Sequence, residues 1–231
     1  MSELPSSLAS APTGPAAASA APAAASAAAA SSSADYQGWK AIVAKYQSPD
    51  VRTSVWQLVN SFGGLLICWV LMYWSLRVGY WLTLLLAIPA AGFLVRIFII
   101  QHDCGHGSFF KSRKAADAVG TVCGVFTFVA YKYWRKQHAI HHAHHAELEE
   151  RGIDDVWTLT VDEYLQAPWW KRVAYRVFRH PLFLFGVAPA VNYLVLERFP
   201  IAAQPEWRNG EKASVWWNNL AIAAVITLLS L

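Results

Sequence analysis

Long uncharged runs frame one long polar stretch in this chain. The first apolar run extends from about Val55 to Leu76 and the second from about Val78 to Val95, with a very short link around Arg77 to Gly79. A helix needs ~20 apolar residues to cross the hydrocarbon core of a bilayer, so the two runs predict a transmembrane hairpin whose outer ends emerge on one side. The polar stretch follows, from about Gln101 to His180. Within it, Gly120 to Tyr131 is apolar over only twelve residues, which predicts a re-entrant or interface-lying helix. Val161 to Arg179 mixes Trp169, Trp170, Val173, Val177 and Phe178 with Lys171, Arg172, Arg176 and Arg179, the pattern of an amphipathic helix in the headgroup region. Thr160 and Glu163 have the spacing of its capping box. A third span is expected from about Pro181 to Leu196, kinked at Pro189, and a fourth from about Val215 to the last residue, Leu231. The expected fold is an all-α integral membrane protein of two transmembrane hairpins, the last span cut short, with a cytoplasmic histidine-rich region between them.

Composition supports this class. Apolar residues make up 55% of the 231, and twelve Trp and nine Tyr suit a protein with two membrane–water interfaces. The net charge of +4 comes without a clustered basic module, so nucleic acid is not an expected partner. Eleven of the nineteen Lys and Arg residues fall between 101 and 180, which by the positive-inside rule places that stretch in the cytoplasm. The hairpin then puts the N-terminal side there too, in agreement with Lys40, Lys45 and Arg52. Residues 1–35 are rich in Ala, Ser and Pro with no periodic apolar face, and read as a disordered tail before a membrane domain over 36–231. The three cysteines, Cys68, Cys104 and Cys123, form no CxxC pair and are expected to be reduced.

All eight histidines lie in the polar stretch, and seven form two clusters. His102 and His106 are four residues apart directly after the second span. On a continuing helix they share one face and could grip one metal. His138, His141 and His142 have i, i+3, i+4 spacing and form one stripe, extended by His145. Imidazole suits Fe, Zn, Cu and Ni, and spacing alone does not choose among them. A HExxH zinc motif and a cysteine-rich zinc pattern are both missing. His144 and His145 read as supporting or solvated groups rather than ligands, and His180 as an interfacial residue. Asp103 either orients a ligand histidine or is exposed.

At these residues the sequence resembles the membrane fatty acid desaturases, particularly the acyl-lipid branch that includes the omega-6 (delta-12) enzymes. The stretch from His102 through Asp103, Cys104, Gly105 and His106 to Phe110 is similar to that branch's first histidine box, and His138 to His142 to the second, HxxHH. Asp155 to Thr160 resembles the segment after it, and the likeness covers about residues 36 to 231. The resemblance implies a non-haem di-iron centre with His102, His106, His138, His141 and His142 among its ligands, and no catalytic residue beyond them. It implies a fatty acyl lipid substrate, O2, and two electrons from ferredoxin or a cytochrome b5-type carrier, with a cis double bond as the product. The family's third box, another HxxHH, follows its fourth span. This sequence stops within that span, so the expectation is an N-terminal portion that is inactive alone. The alternatives are a related di-iron membrane hydroxylase and a non-catalytic metal-binding remnant.

Overall fold

The computed structural model describes residues 42–44, 48–144, 147–152, 155–201, 203, 207 and 209–230. Apart from one helical turn at Ile42–Ala44, these belong to one compact unit spanning 48–231. The expected tail over 1–35 lies outside the described residues, as does His145.

The chain is all-α, with no strand among the described residues. Helix α1 (Val51–Ser75) starts where the Asp50 carboxylate accepts the backbone N–H groups of Arg52 and Thr53 at 3.3 and 3.2 Å. Helix α2 (Tyr80–His106) follows after a tight turn. At 1.5 Å per residue each is longer than the ~30 Å hydrocarbon core. The pair packs through small residues: the Gly64 backbone lies so close to the Phe93 ring that a methyl group there would collide with it. Leu65, Cys68, Ile97, Ile100 and Cys104 are buried in one apolar cluster that Ala116 and Cys123 join from further along the chain. The outward faces are apolar, with Trp56, Leu66 and Ile88 all more than half exposed, as a lipid-facing surface requires.

α2 does not stop at Val95, where the uncharged run ends. Arg96 donates to Asn60 Oδ1 at 2.7 Å and to Ser61 Oγ at 3.3 Å on α1, so its charge is held by partners rather than ending the helix. Termination comes at Gly107, whose φ of 75° supports a left-handed cap with Gly107 and Ser108 N–H groups bonded to the Cys104 and Asp103 carbonyls.

The short apolar run is the end of helix α3 (Arg113–Phe126), which starts earlier than the apolar pattern suggests because Ser112 caps it. α3 stops before Tyr131, at a turn in which Phe128 has a φ of 62°. Helix α4 (Tyr131–Ala143) then leads away from that turn. The amphipathic segment is two helices, not one: α5 (Val161–Gln166) and α6 (Trp169–Arg179). Pro168 lacks an N–H and forces Ala167 into an extended conformation, which breaks the helix. The Thr160–Glu163 capping box is present, reciprocal, at 3.2 and 2.7 Å.

The third span is broken. A π-type turn at Phe183–Val187 precedes helix α7 (Ala188–Leu194), and the whole segment is bent by 66° from α6. Pro189 has no N–H to offer the Phe185 carbonyl, so the chain widens to an i→i+5 bond from Ala188 to Phe183 instead. Helix α8 (Asn209–Ser230) is the last. Among the described residues three helices (α1, α2 and α8) are long and apolar enough to cross a membrane, and the bent pair makes a fourth span if counted as one. Cys68, Cys104 and Cys123 are free and buried, as expected.

Candidate metal centre

Two helices bring their histidines together. His102 and His106 are one turn apart at the end of α2, and His138 and His142 are one turn apart near the end of α4. The donor atoms of these four side chains all lie within 4.8 Å of one another. Adjacent Nε2 atoms are 3.2 Å apart for His102–His106, 3.2 Å for His106–His138 and 3.1 Å for His138–His142.

Hydrogen bonding alone does not satisfy this arrangement. A neutral imidazole Nε2 offers either one N–H or one lone pair. Four such atoms satisfy at most two pairwise bonds, yet the geometry has three close contacts, two of them shared at His106 and two at His138. Protonating the rings adds charge repulsion. A cation resolves the conflict, because each lone pair then has its own bond. Two imidazoles bound at about 2.1 Å to one metal have nitrogens roughly 3.0–3.4 Å apart, between the octahedral and tetrahedral limits. The residues therefore fit a metal ion.

The surroundings hold the rings in place. Trp134, one turn before His138 on α4, is buried and stacks on the His138 ring at 4.6 Å with planes 17° apart. It also touches His102 at 5.9 Å and the edge of Phe98 at 5.6 Å. Gly105 leaves room for it, since a methyl group there would meet the indole at 3.1 Å. The Asp103 carboxylate lies 3.4 Å from His102 Nδ1, the outer contact expected of a group that orients a ligand.

A second cluster ties the two histidine helices to α3. The Asp117 carboxylate accepts from Tyr131 Oη at 2.9 Å, from Arg135 Nη1 at 2.6 Å and from Arg113 Nε at 3.1 Å. Arg113 also donates to the carbonyls of Cys104 and Gly105, between the two α2 histidines, at 3.3 and 3.2 Å. Burial pushes the Tyr131 hydroxyl up to about 12, and its bond to Asp117 adds to the rise.

The remaining histidines divide. His141 is not among the four converging donors: its Nδ1 lies 2.9 Å from the Asp155 carboxylate, and its ring is 6.1 Å from that of His138. His144 lies apart, 3.3 Å from Glu147. His180 ends α6, and its carbonyl accepts from Phe183 and Leu184. Sequence reasoning missed Trp134, Asp117 and Arg113. The signals were present as i, i+4 spacings, Trp134 to His138 and Arg113 to Asp117.

Fold and cluster together define an all-α protein with membrane-spanning helices and a cluster of four histidines that could hold a metal ion. The fatty acid desaturase family model matches residues 75–231. The chain belongs to that family. It is 42% identical over 183 residues to a fatty acid desaturase of Bacillus subtilis, covering 79% of this chain and 51% of the relative. It is 31% identical over 137 residues to a Synechocystis sn-1 acyl-lipid omega-3 desaturase (ferredoxin), covering 58% and 36%. An endoplasmic reticulum omega-3 fatty acid desaturase of Vigna radiata is 30% identical over 164 residues, covering 68% and 39%. The chain thus spans about half the length of its Bacillus relative and less of the other two. No solved structure matches it.

Proposed function

We propose that this chain carries the metal centre of an O2-dependent acyl-lipid desaturase that introduces a cis double bond. The observation that supports it most is the convergence of four imidazoles, His102, His106, His138 and His142, at the end of a membrane hairpin in a desaturase-family chain. Imidazole donors suit several metals, and of these the resemblance to membrane desaturases implies iron. Iron bound there supplies the activation of O2 needed against an unactivated acyl C–H bond. The protein's part is to hold the imidazoles and to keep oxidisable thiolates out of the ligand set. The four converging donors serve one iron. His141, steered by Asp155, would serve the second iron of a di-iron pair.

Residues 1–35 serve as a tail to the membrane domain over 36–231. The excess of Lys and Arg between 101 and 180 favours the cytoplasmic side for the cluster, within reach of a soluble electron carrier. The ferredoxin in the Synechocystis relative's name supports a ferredoxin-type donor, and a cytochrome b5-type carrier is the other candidate. The test is the fatty acid profile of a host expressing the gene that encodes this chain. New cis-unsaturated acyl chains are expected, and they vanish with His106→Ala. A hydroxylated product, or an unchanged profile despite iron-loaded protein, overturns the reading.

A further inference from the structure

Helix α6 is turned inside out for a protein in water. Trp169, Trp170, Val173 and Val177 fall on one half of its circumference, and Lys171, Arg172, Arg176 and Arg179 on the other. The side that meets the protein carries Tyr175 and Phe178, whose rings pack on Trp157 at 5.3 and 5.7 Å. The apolar half faces away: Trp169 is 72% exposed, Val173 50% and Val177 52%, and no residue of α6 is buried. The 66° bend after Arg179 then changes direction between α6 and the broken span. This is the geometry of a helix lying in the plane of the bilayer surface, with its apolar half among the acyl chains.

Charge identifies the occupant of that surface. From Tyr164 to Leu196 the chain has four Lys and Arg residues and not one Asp or Glu. The nearby Glu163 is already engaged by the Thr160 N–H and by Arg151. Arg176 gives its Nε to the Tyr164 hydroxyl, and among the described residues its other N–H groups meet no acceptor. Cations at the flank of a membrane-lying helix sit at the depth of lipid phosphates.

We infer that α6 is a contact for anionic glycerophospholipids, whose phosphates are held by Arg176 and Arg179 with help from Lys171 and Arg172. On the desaturase reading above, the same contact gathers acyl-lipid substrate. The headgroup preference itself does not depend on that reading, so its test uses neither metal nor activity.

The test places a fluorophore at Ala174→Cys, on the exposed half of α6, with the native thiols protected by burial. The full chain is reconstituted in phosphatidylcholine vesicles. The same minor fraction of acyl-brominated quencher is then supplied as phosphatidylglycerol or as phosphatidylcholine. The phosphatidylglycerol quencher should be enriched at the probe by about fivefold, the equivalent of ~1 kcal/mol. The enrichment should fall toward unity in R176Q/R179Q and in high salt, and persist in K111Q/K114Q. Equal quenching by both lipids overturns the inference. So does an enrichment unchanged in R176Q/R179Q, which puts the preference elsewhere. Protection from both quenchers also overturns it, because protein would then cover the face.

Discussion

Replacing Asp117 by Asn tests whether the histidine cluster is held by the network beneath it. The carboxylate meets Tyr131, Arg135 and Arg113, and its own side chain is 30% exposed. Asn keeps a similar shape but leaves two guanidinium groups without their counter-charge. A hydrogen bond to a charged group contributes ~1.5–3 kcal/mol when buried. The exposed Arg113 contact contributes about 0.5 kcal/mol or less. The part-buried Tyr131 and Arg135 bonds then dominate, for a loss of about 2–3 kcal/mol after allowing for partial solvation and non-additivity. Arg113, freed from Asp117, should also loosen its hold on the Cys104 and Gly105 carbonyls. Metal affinity should therefore fall by roughly tenfold, the lower end for losing an outer-shell partner. The assay compares unfolding of the apo proteins in detergent with chelator competition for bound metal, and Asp117→Glu should recover part of both. Stability within ~0.5 kcal/mol of wild type together with unchanged metal affinity would mean that the network does not hold the cluster.

Three further outcomes follow from the same geometry. Gly124→Ala should destabilise by about 2–3 kcal/mol, because its methyl group collides with the rigid Val129 carbonyl, whereas Gly92→Ala, with open space around it, should not; thermal unfolding of both checks this. Tyr131 is held protonated to about 12 against an ordinary 10, so its stabilising contribution is complete below pH 10 and lost as pH rises to 12; alkaline unfolding should show this slope, and Tyr131→Phe should remove it. Trp134→Leu should free the His138 ring and weaken metal binding while leaving the helix content in circular dichroism unchanged.

Much of this architecture is legible in the sequence because lipid imposes simple rules. Uncharged runs of sufficient length become α1 and α2, and the i, i+4 histidine pairs land on single helix faces as spacing requires. What eluded that reading depends on partners distant in sequence. Arg96 looks like the end of a span until Asn60 and Ser61 are beside it. His141 shares the stripe of His138 and His142, and its place outside the converging four, with Nδ1 against Asp155, depends on a residue fourteen positions away. Pro168 was visible as a helix breaker, but the amphipathic pattern runs through it and hides the break between α5 and α6.

Whether four imidazoles from two helices hold one metal is decided by X-ray absorption on the purified chain loaded with Fe(II). A shell of imidazole nitrogens at about 2.1 Å is expected, lost in His138→Ala and retained in His144→Ala. Equal iron binding and an identical nitrogen shell in both variants would contradict it.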